Sequence, residues 1–274
     1  MGKLRIFLPI LLIVSLLCGC ALPLMPSDRD DPSEPSVWLP PESPYTPEDF
    51  TMGEDGILSC TAGNTVLGID VSKYQKKIDW KKVADAGVKF AMIRLGNRGY
   101  ITGEIQEDPY AKANLTGARE AGILIGAYFY SQAIDAEEAR EEAEFAMNVL
   151  GDTKLDLPLV YDWEYVREDA RTGYMDAASV TECTIAFCEA VKAGGYTPMV
   201  YFNSSQSFDF LILEEVEQYP WWLAKYDLSM DFVCRTDMWQ YTSKGRLPGI
   251  STKVDINLIF TDWGIGKEVF APDA

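Results

Sequence analysis

An α/β fold, a closed but irregular β/α barrel of about eight strands and five helices, is predicted for residues 63–274 of this 274-residue chain. Three observations predict it. From Leu67 onward, short apolar runs alternate with capped segments of helical period, and the last three runs follow one another with no room for full helices between them. In addition, two carboxylates, Asp162 and Glu164, stand two residues apart at the end of the fourth run, where such barrels carry their chemistry. An open doubly wound sheet is the competing arrangement, but no glycine-rich phosphate loop motivates it.

Each element has its own signal. Gly68-Ile69-Asp70-Val71-Ser72 reads as a first strand, followed by a helix near Trp80–Ala86 that stops at Gly87. Lys89–Leu95 (KFAMIRL) is the second strand, and Asp108-Pro109 opens the next helix as N-cap and first position, running to about Ala121. Ile123–Tyr130 is the third strand. Asp135 with Glu138 forms a capping-box-like start to a long helix reaching Leu150, and the fourth strand carries the acidic pair. Ser179 and Glu182 repeat the capping pattern for a helix ending by Gly194-Gly195; Pro198–Asn203 is strand five, with a weaker helix around residues 205–218 behind it. Trp221–Tyr226, Asp237–Thr242 and Val254–Phe260 then read as three strands whose connections of roughly ten residues permit antiparallel hairpins.

The acidic pair carries the chemistry. Residues i and i+2 of a strand point to one face about 6.8 Å apart, so Asp162 and Glu164 share a cavity while Trp163 points away. Two like charges so placed cannot both ionise freely, and a carboxylic acid kept protonated near neutral pH is what glycosidic cleavage needs. Asp70, near the end of the first strand, converges on the same mouth.

Composition narrows the classes. The chain has no histidine, which excludes Ser-His-Asp and Cys-His catalysis and imidazole metal sites, so acid–base work falls to carboxylates, Tyr, Lys or Cys. A formal net charge of −18 argues against nucleic acid as a partner, because phosphate contacts need dense Lys and Arg. No cofactor is expected, and a carboxylate metal site is disfavoured because no glycine-rich ligand loop accompanies the pair.

The N-terminal residues read as an address and a tether. Lys3 and Arg5 precede an apolar stretch over residues 6–17, too short to favour a membrane span, which is the pattern of an export signal. Its end, Leu17-Cys18-Gly19-Cys20, resembles a bacterial lipoprotein box, which implies that Cys20 becomes the lipid-modified N-terminus and holds the protein outside the cytoplasm, on the membrane and facing the wall. Residues 1–20 are thus expected to be the signal. Residues 21–62, with nine acidic side chains against Arg29 and eight of the 15 prolines, are expected to be a disordered tether reaching up to ~120 Å. Cys60, Cys183, Cys188 and Cys234 remain; no metal spacing appears among them, and buried free thiols are the expectation.

From about Leu67 to Trp263 the chain resembles the family 25 glycoside hydrolases, the lysozyme or muramidase group. The matching motifs are GIDVSKYQ (68–75) with IDW (78–80), DPYAKAN (108–114), AGILIGAYFY (121–130), LPLVYDWE (157–164), WLAKY (222–226), MWQYTS (238–243) and VDIN (254–257), in the family's order. The resemblance implies an irregular TIM-like barrel that cleaves the β-1,4 bond between N-acetylmuramic acid and N-acetylglucosamine in peptidoglycan glycan strands, acting as a monomer. Carried over by position, Glu164 matches the general acid, Asp162 its partner, and Asp70 and Asp255 the other acids of the pocket. Asp162 then either orients the substrate's 2-acetamido group for attack on the anomeric carbon, giving retention, or, with Asp70 as the other candidate, activates water and gives inversion. Asp255 belongs to the mouth if its strand runs antiparallel to the others. Tyr128, Tyr201, Trp239 and Tyr241 are the candidate sugar-stacking rings. The family often has His in its third-strand motif where this chain has Phe129, a departure expected to touch subsite contacts. A catalytically silent wall-binding lipoprotein is the alternative function. A chitinase-like enzyme is disfavoured because its longer DxxDxDxE strand is not matched upstream of Asp162, where Leu157, Pro158 and Val160 stand.

Overall fold

A computed structural model describes residues 38–204, 207–226 and 234–270. A short hairpin, β1 (Phe50–Met52) and β2 (Leu58–Cys60), precedes β3 (Thr65–Val71), helix α1 (Trp80–Asp85), β4 (Phe90–Arg98), β5 (Ile105–Glu107) and α2 (Ala111–Glu120). Next come β6 (Leu124–Ser131), α3 (Ala136–Leu150), β7 (Leu159–Trp163), α4 (Ala177–Ala193), β8 (Pro198–Asn203) and α5 (Ser207–Phe210). The described chain ends with β9 (Trp221–Ala224), β10 (Met238–Gly245), β11 (Val254–Phe260) and α6 (Gly264–Phe270).

The strands close on themselves in the order β3-β4-β6-β7-β8-β9-β10-β11 and back to β3, giving the eight-stranded barrel expected from the sequence. Seven of these run parallel, and β11 alone runs against both neighbours, β10 and β3. The hairpins that short connections permitted are therefore realised once, between β10 and β11; β9 and β10 are parallel. Strand β5 lies outside the ring, antiparallel to the end of β4.

Alternation along each strand sorts side chains into two cores. Phe90, Met92, Val160, Met199, Trp222, Met238 and Ile259 fill the barrel, while Ile93, Phe129, Tyr161, Val200, Leu223, Trp239 and Phe260 face outward to the layer that covers it. Gly68 and Gly126 leave the room that Phe90 and Met92 occupy, since a Cβ at either position would collide with those side chains.

Helix starts differ from the sequence reading in two places. Asp135 caps α3 as expected, accepting from the Glu138 amide at 2.9 Å. Helix α4 is capped by Asp176, not Ser179, and α2 starts after Tyr110. Asp108 stands before the N-cap yet still serves the helix start, its Oδ1 accepting from the Tyr110 amide at 2.9 Å while its Oδ2 binds Arg94. The weak helix around 205–218 reduces, among the described residues, to α5 and a single 3-10 turn at Leu213–Val216.

The largest correction concerns residues 38–62, which are part of the folded unit rather than of a disordered tether. The signal, Cys20 and residues 21–37 lie outside the described residues. Three apolar anchors explain the difference. The Tyr45 ring stacks on Phe260 at 5.2 Å, Phe50 packs edge-on to Trp239 at 5.2 Å, and Leu58 is buried with its amide donating to the Tyr241 hydroxyl at 3.2 Å. Residues 38–62 thus lie over the outward rings of β10 and β11, which no full-length helix covers. The composition was too polar for independent folding, but a segment that docks on an existing apolar face needs only a few anchors.

Phe50→Ala is expected to cost about 3–4 kcal/mol. In thermal unfolding followed by circular dichroism, Tm then falls by about 10 °C. A fall of about 1 °C would show that these residues do not hold the barrel wall.

Candidate active site

At the C-terminal ends of the parallel strands lies a pocket of about 170 Å³. Its acids arrive on separate elements: Asp70 at the end of β3, Asp162 near the end of β7, Glu164 one residue past it, and Asp255 on β11. Because β11 is antiparallel, its start meets the end of β3, and Asp255 pairs directly with Asp70 in the register. The condition on which Asp255's place depended is met. Trp163 turns the other way, packing against Phe210 outside the barrel. A larger groove of about 510 Å³ between α3 and α4 is lined by alanines with glutamates and Arg140, and brings together no comparable buried set of acids.

A chain of hydrogen bonds holds Asp70 from two sides. Its Oδ2 accepts from Gln240 Nε2 at 2.7 Å and from Asn257 Nδ2 at 2.9 Å. Trp222 Nε1, which can only donate, binds Asn257 Oδ1 at 2.9 Å, and the Tyr226 hydroxyl donates to Gln240 Oε1 at 2.7 Å. These outer donors orient both amides so that their NH2 groups face the carboxylate. Asp162 has the opposite character: its Oδ1 is buried and has no hydrogen-bond partner.

The electrostatics follow from confinement. Burial, followed by the neighbouring Asp255 charge, pushes the Asp70 pKa well above the usual carboxylate range, against the pull of the two amides. Asp162 is raised by burial and then by the charges of Glu164 and Asp70, with Arg94 opposing. Burial raises Glu164, and a hydrogen bond with Tyr201 draws it back. Asp255 rises to about 6, first through burial. Among the described lining residues Arg94 is the one cation, and its Nε and Nη2 already bind Asp108 Oδ2 at 2.9 and 2.8 Å. Four acids so placed titrate as a group, each held above its ordinary carboxylate range.

Of the ring residues expected at the site, Tyr128 and Tyr201 line the pocket. Trp239 and Tyr241 do not. The two-residue period of β10 sends Met238 and Gln240 inward, so Trp239 donates to the Lys225 carbonyl and Tyr241 packs beneath residues 50–58. Phe129 faces outward against Phe145, so the family's departure there falls in the outer core and not on a subsite. Arg94, Tyr130, Trp222, Gln240 and Asn257 went unassigned in the sequence. So did Tyr74 and Tyr226, the exposed rings of the mouth, at 66% and 56%. Counting by twos from Asp255 would have found Asn257, and counting by twos from Met238 would have found Gln240.

The profile described as Glycosyl hydrolases family 25 matches residues 69–250. The uncharacterized protein YegX of Escherichia coli K12 is 30% identical over 210 residues, covering 72% of this chain and 70% of YegX. Lysozyme M1 of Streptomyces globisporus is 29% identical, covering 77% of this chain and 71% of that enzyme. The modular autolysin LytC of Streptococcus pneumoniae, solved with a synthetic peptidoglycan ligand, superposes with a TM-score of 0.64 at 24% identity; it covers 76% of this chain, which spans about half (51%) of LytC.

The raised acids make a stability prediction. Asp255 keeps its proton in the folded chain to about pH 6, whereas the unfolded chain releases it near 3.8, so stability present at low pH is lost as pH rises through that window. A displacement of that size corresponds to about 3 kcal/mol, reduced by residual solvent contact to about 2 kcal/mol. Asp255→Asn should therefore raise Tm at pH 7.5 by about 4–8 °C and leave it unchanged at pH 4. No rise of the variant's Tm over the wild type at pH 7.5 would show that the fold does not hold the Asp255 proton.

Proposed function

The chain belongs to glycosyl hydrolases family 25, and from that premise we propose that it is a peptidoglycan muramidase, cleaving the β-1,4 bond between N-acetylmuramic acid and N-acetylglucosamine. The observation that carries this reading is the sharing of one barrel-mouth pocket by Asp162, which is buried, and Glu164, which is half-buried, both raised by their surroundings. A wall-binding module has no use for such crowding, which costs stability above the acids' ordinary pKa range.

Glu164, whose partial burial favours the protonated form, donates its proton to the glycosidic oxygen as the bond to the anomeric carbon lengthens. Asp162 has an oxygen free to accept a hydrogen bond from the N–H of the 2-acetamido group of the sugar losing its C1–O bond. That contact would turn the acetamido oxygen toward the anomeric carbon and support the positive charge that develops when it attacks. Glu164, now a carboxylate, takes a proton from the water that opens the cyclic intermediate, with net retention. Asp70, held by Gln240 and Asn257, presents its carboxyl to the developing cation, whose positive charge and the two amide donors favour the ionised form there. Asp255 extends the acidic wall opposite it. Tyr128 and Tyr201 bound the sugar from the barrel side, and the exposed rings of Tyr74 and Tyr226 offer flat apolar faces at the rim.

The mature protein is proposed to act outside the cytoplasm, joined to the membrane by lipid on Cys20, with residues 21–37 as the spacer. Seventeen residues at about 3.1 Å each would span roughly 50 Å, less than half the reach of the longer tether.

Two experiments test these readings. Digestion of purified peptidoglycan by the wild type should release new N-acetylmuramic acid reducing ends, and Glu164→Gln should lower that rate about 10³-fold. Proton NMR of the first product should find the β-anomer; an initial α-anomer would rule out retention, and inactivity of the wild type on several peptidoglycans would favour the silent binder. Separately, the full chain expressed in a bacterium should carry a diacylglycerol mass increment that disappears in Cys20→Ser, and its absence from the wild type would rule out the anchor.

A further inference from the structure

Glu164 stands where the strand ladder stops. The last paired residues of β6 and β7 are Ser131 and Trp163, so the backbone of the acid lies one step beyond the sheet that positions Asp162. The step is bridged by a side chain. Gln132, fully buried and the first residue after β6, sends its Nε2 to the Glu164 carbonyl at 2.9 Å and to the Ser131 carbonyl at 2.8 Å. Both amide protons are thereby used on the two strand ends, and the pairing continues by one rung through a side chain.

The other polar atoms of Gln132 are held in turn. Its Oε1 accepts from the Thr172 hydroxyl at 2.9 Å, and its carbonyl accepts from Arg171 Nη1 at 2.7 Å. Thr172 and Arg171 belong to the segment that follows Glu164, so the chain leaving the acid folds back to grip the residue that holds it. Arg171 also makes a two-point pair with Glu138 of α3 at 2.6 and 2.7 Å. The neighbouring carboxylate of Glu142, bound by Arg98 at 2.7 Å, ties the end of β4 to the same helix. A buried amide with every polar atom satisfied by partners that are themselves paired has one orientation available.

We propose that Gln132 is a positioning residue for the reaction, holding the backbone of Glu164 so that its carboxyl meets the glycosidic oxygen. The inference rests on the reading of Glu164 as the general acid. A misplacement of about 1 Å at a reacting group costs on the order of 10²-fold in rate, and proton donation is among the steps most sensitive to it.

The test compares two substrates in the full chain: soluble peptidoglycan fragments, whose leaving oxygen needs a proton, and a dinitrophenyl glycoside of the same disaccharide, whose leaving group does not. Gln132→Met, similar in volume but without donors, should lower kcat on the fragments about 50-fold with KM within about twofold, and lower kcat on the aryl glycoside by no more than about threefold. Thr172→Val, which frees only the far side of Gln132, should move the same way by about three- to fivefold. Equal losses on both substrates, or no loss, would overturn the proposal. Should Gln132→Met fail to fold, Thr172→Val decides by the same comparison. A wild type inactive on both substrates would instead defeat the functional reading. An active wild type, a Glu164→Gln inactive on fragments and an unchanged Gln132→Met would defeat positioning alone.

Discussion

Four carboxylates, two buried and two half-buried, are crowded at the mouth of a closed barrel, beside a guanidinium that Asp108 already occupies, and much of the structure answers to that confinement. Left to themselves, like charges in a low-dielectric pocket drive one another to protonate or open the site to solvent. This chain lets them keep protons. It supplies Asp70 with two amide donors, leaves one oxygen of Asp162 unpaired, and surrounds the set with tyrosines whose own ionisation burial opposes. A group of acids held above the ordinary carboxylate range can both give a proton and support positive charge, which is the pair of tasks glycosidic cleavage sets.

Holding such a pocket requires a rigid wall, and the barrel obtains it unevenly. On one side α1 to α4 cover the strands. On the other, β9, β10 and β11 follow one another with no long helix among the described residues, and Trp239, Tyr241 and Phe260 would face water there. The segment before the barrel covers them instead, with Tyr45, Phe50 and Leu58 in the place of a helix face. Its prolines and acids point to a linker, and its few apolar residues point to a surface; the surface decides, because docking needs less burial than independent folding.

The elements with strong local signals were legible in the sequence. The eight barrel strands, α3 with its Asp135 cap, and the acidic pair at the end of β7 follow from apolar runs, capping residues and the two-residue period. The errors share a physical origin. Trp239 and Tyr241 were assigned to the mouth by type and by nearness to a strand end, but a strand has two faces, and nothing local says which faces the axis. Asp108 reads as a plain helix cap, but its carboxylate serves two segments, Oδ1 taking the Tyr110 amide and Oδ2 taking Arg94 of β4.

The residues alone exclude imidazole chemistry, since the chain has no histidine, and put Glu164 and Asp162 on one side of a strand end, since a strand alternates. They also determine the alternation of strand and helix that lets a barrel form. Only the tertiary structure decides that β11 runs backwards and sets Asp255 beside Asp70, that Gln240 and not Trp239 reaches the acids, and that Gln132 meets the backbone of Glu164. Those are contacts between segments far apart in the chain or set by the rotation of a strand about its own axis. Local propensity carries no information about either until the barrel has closed.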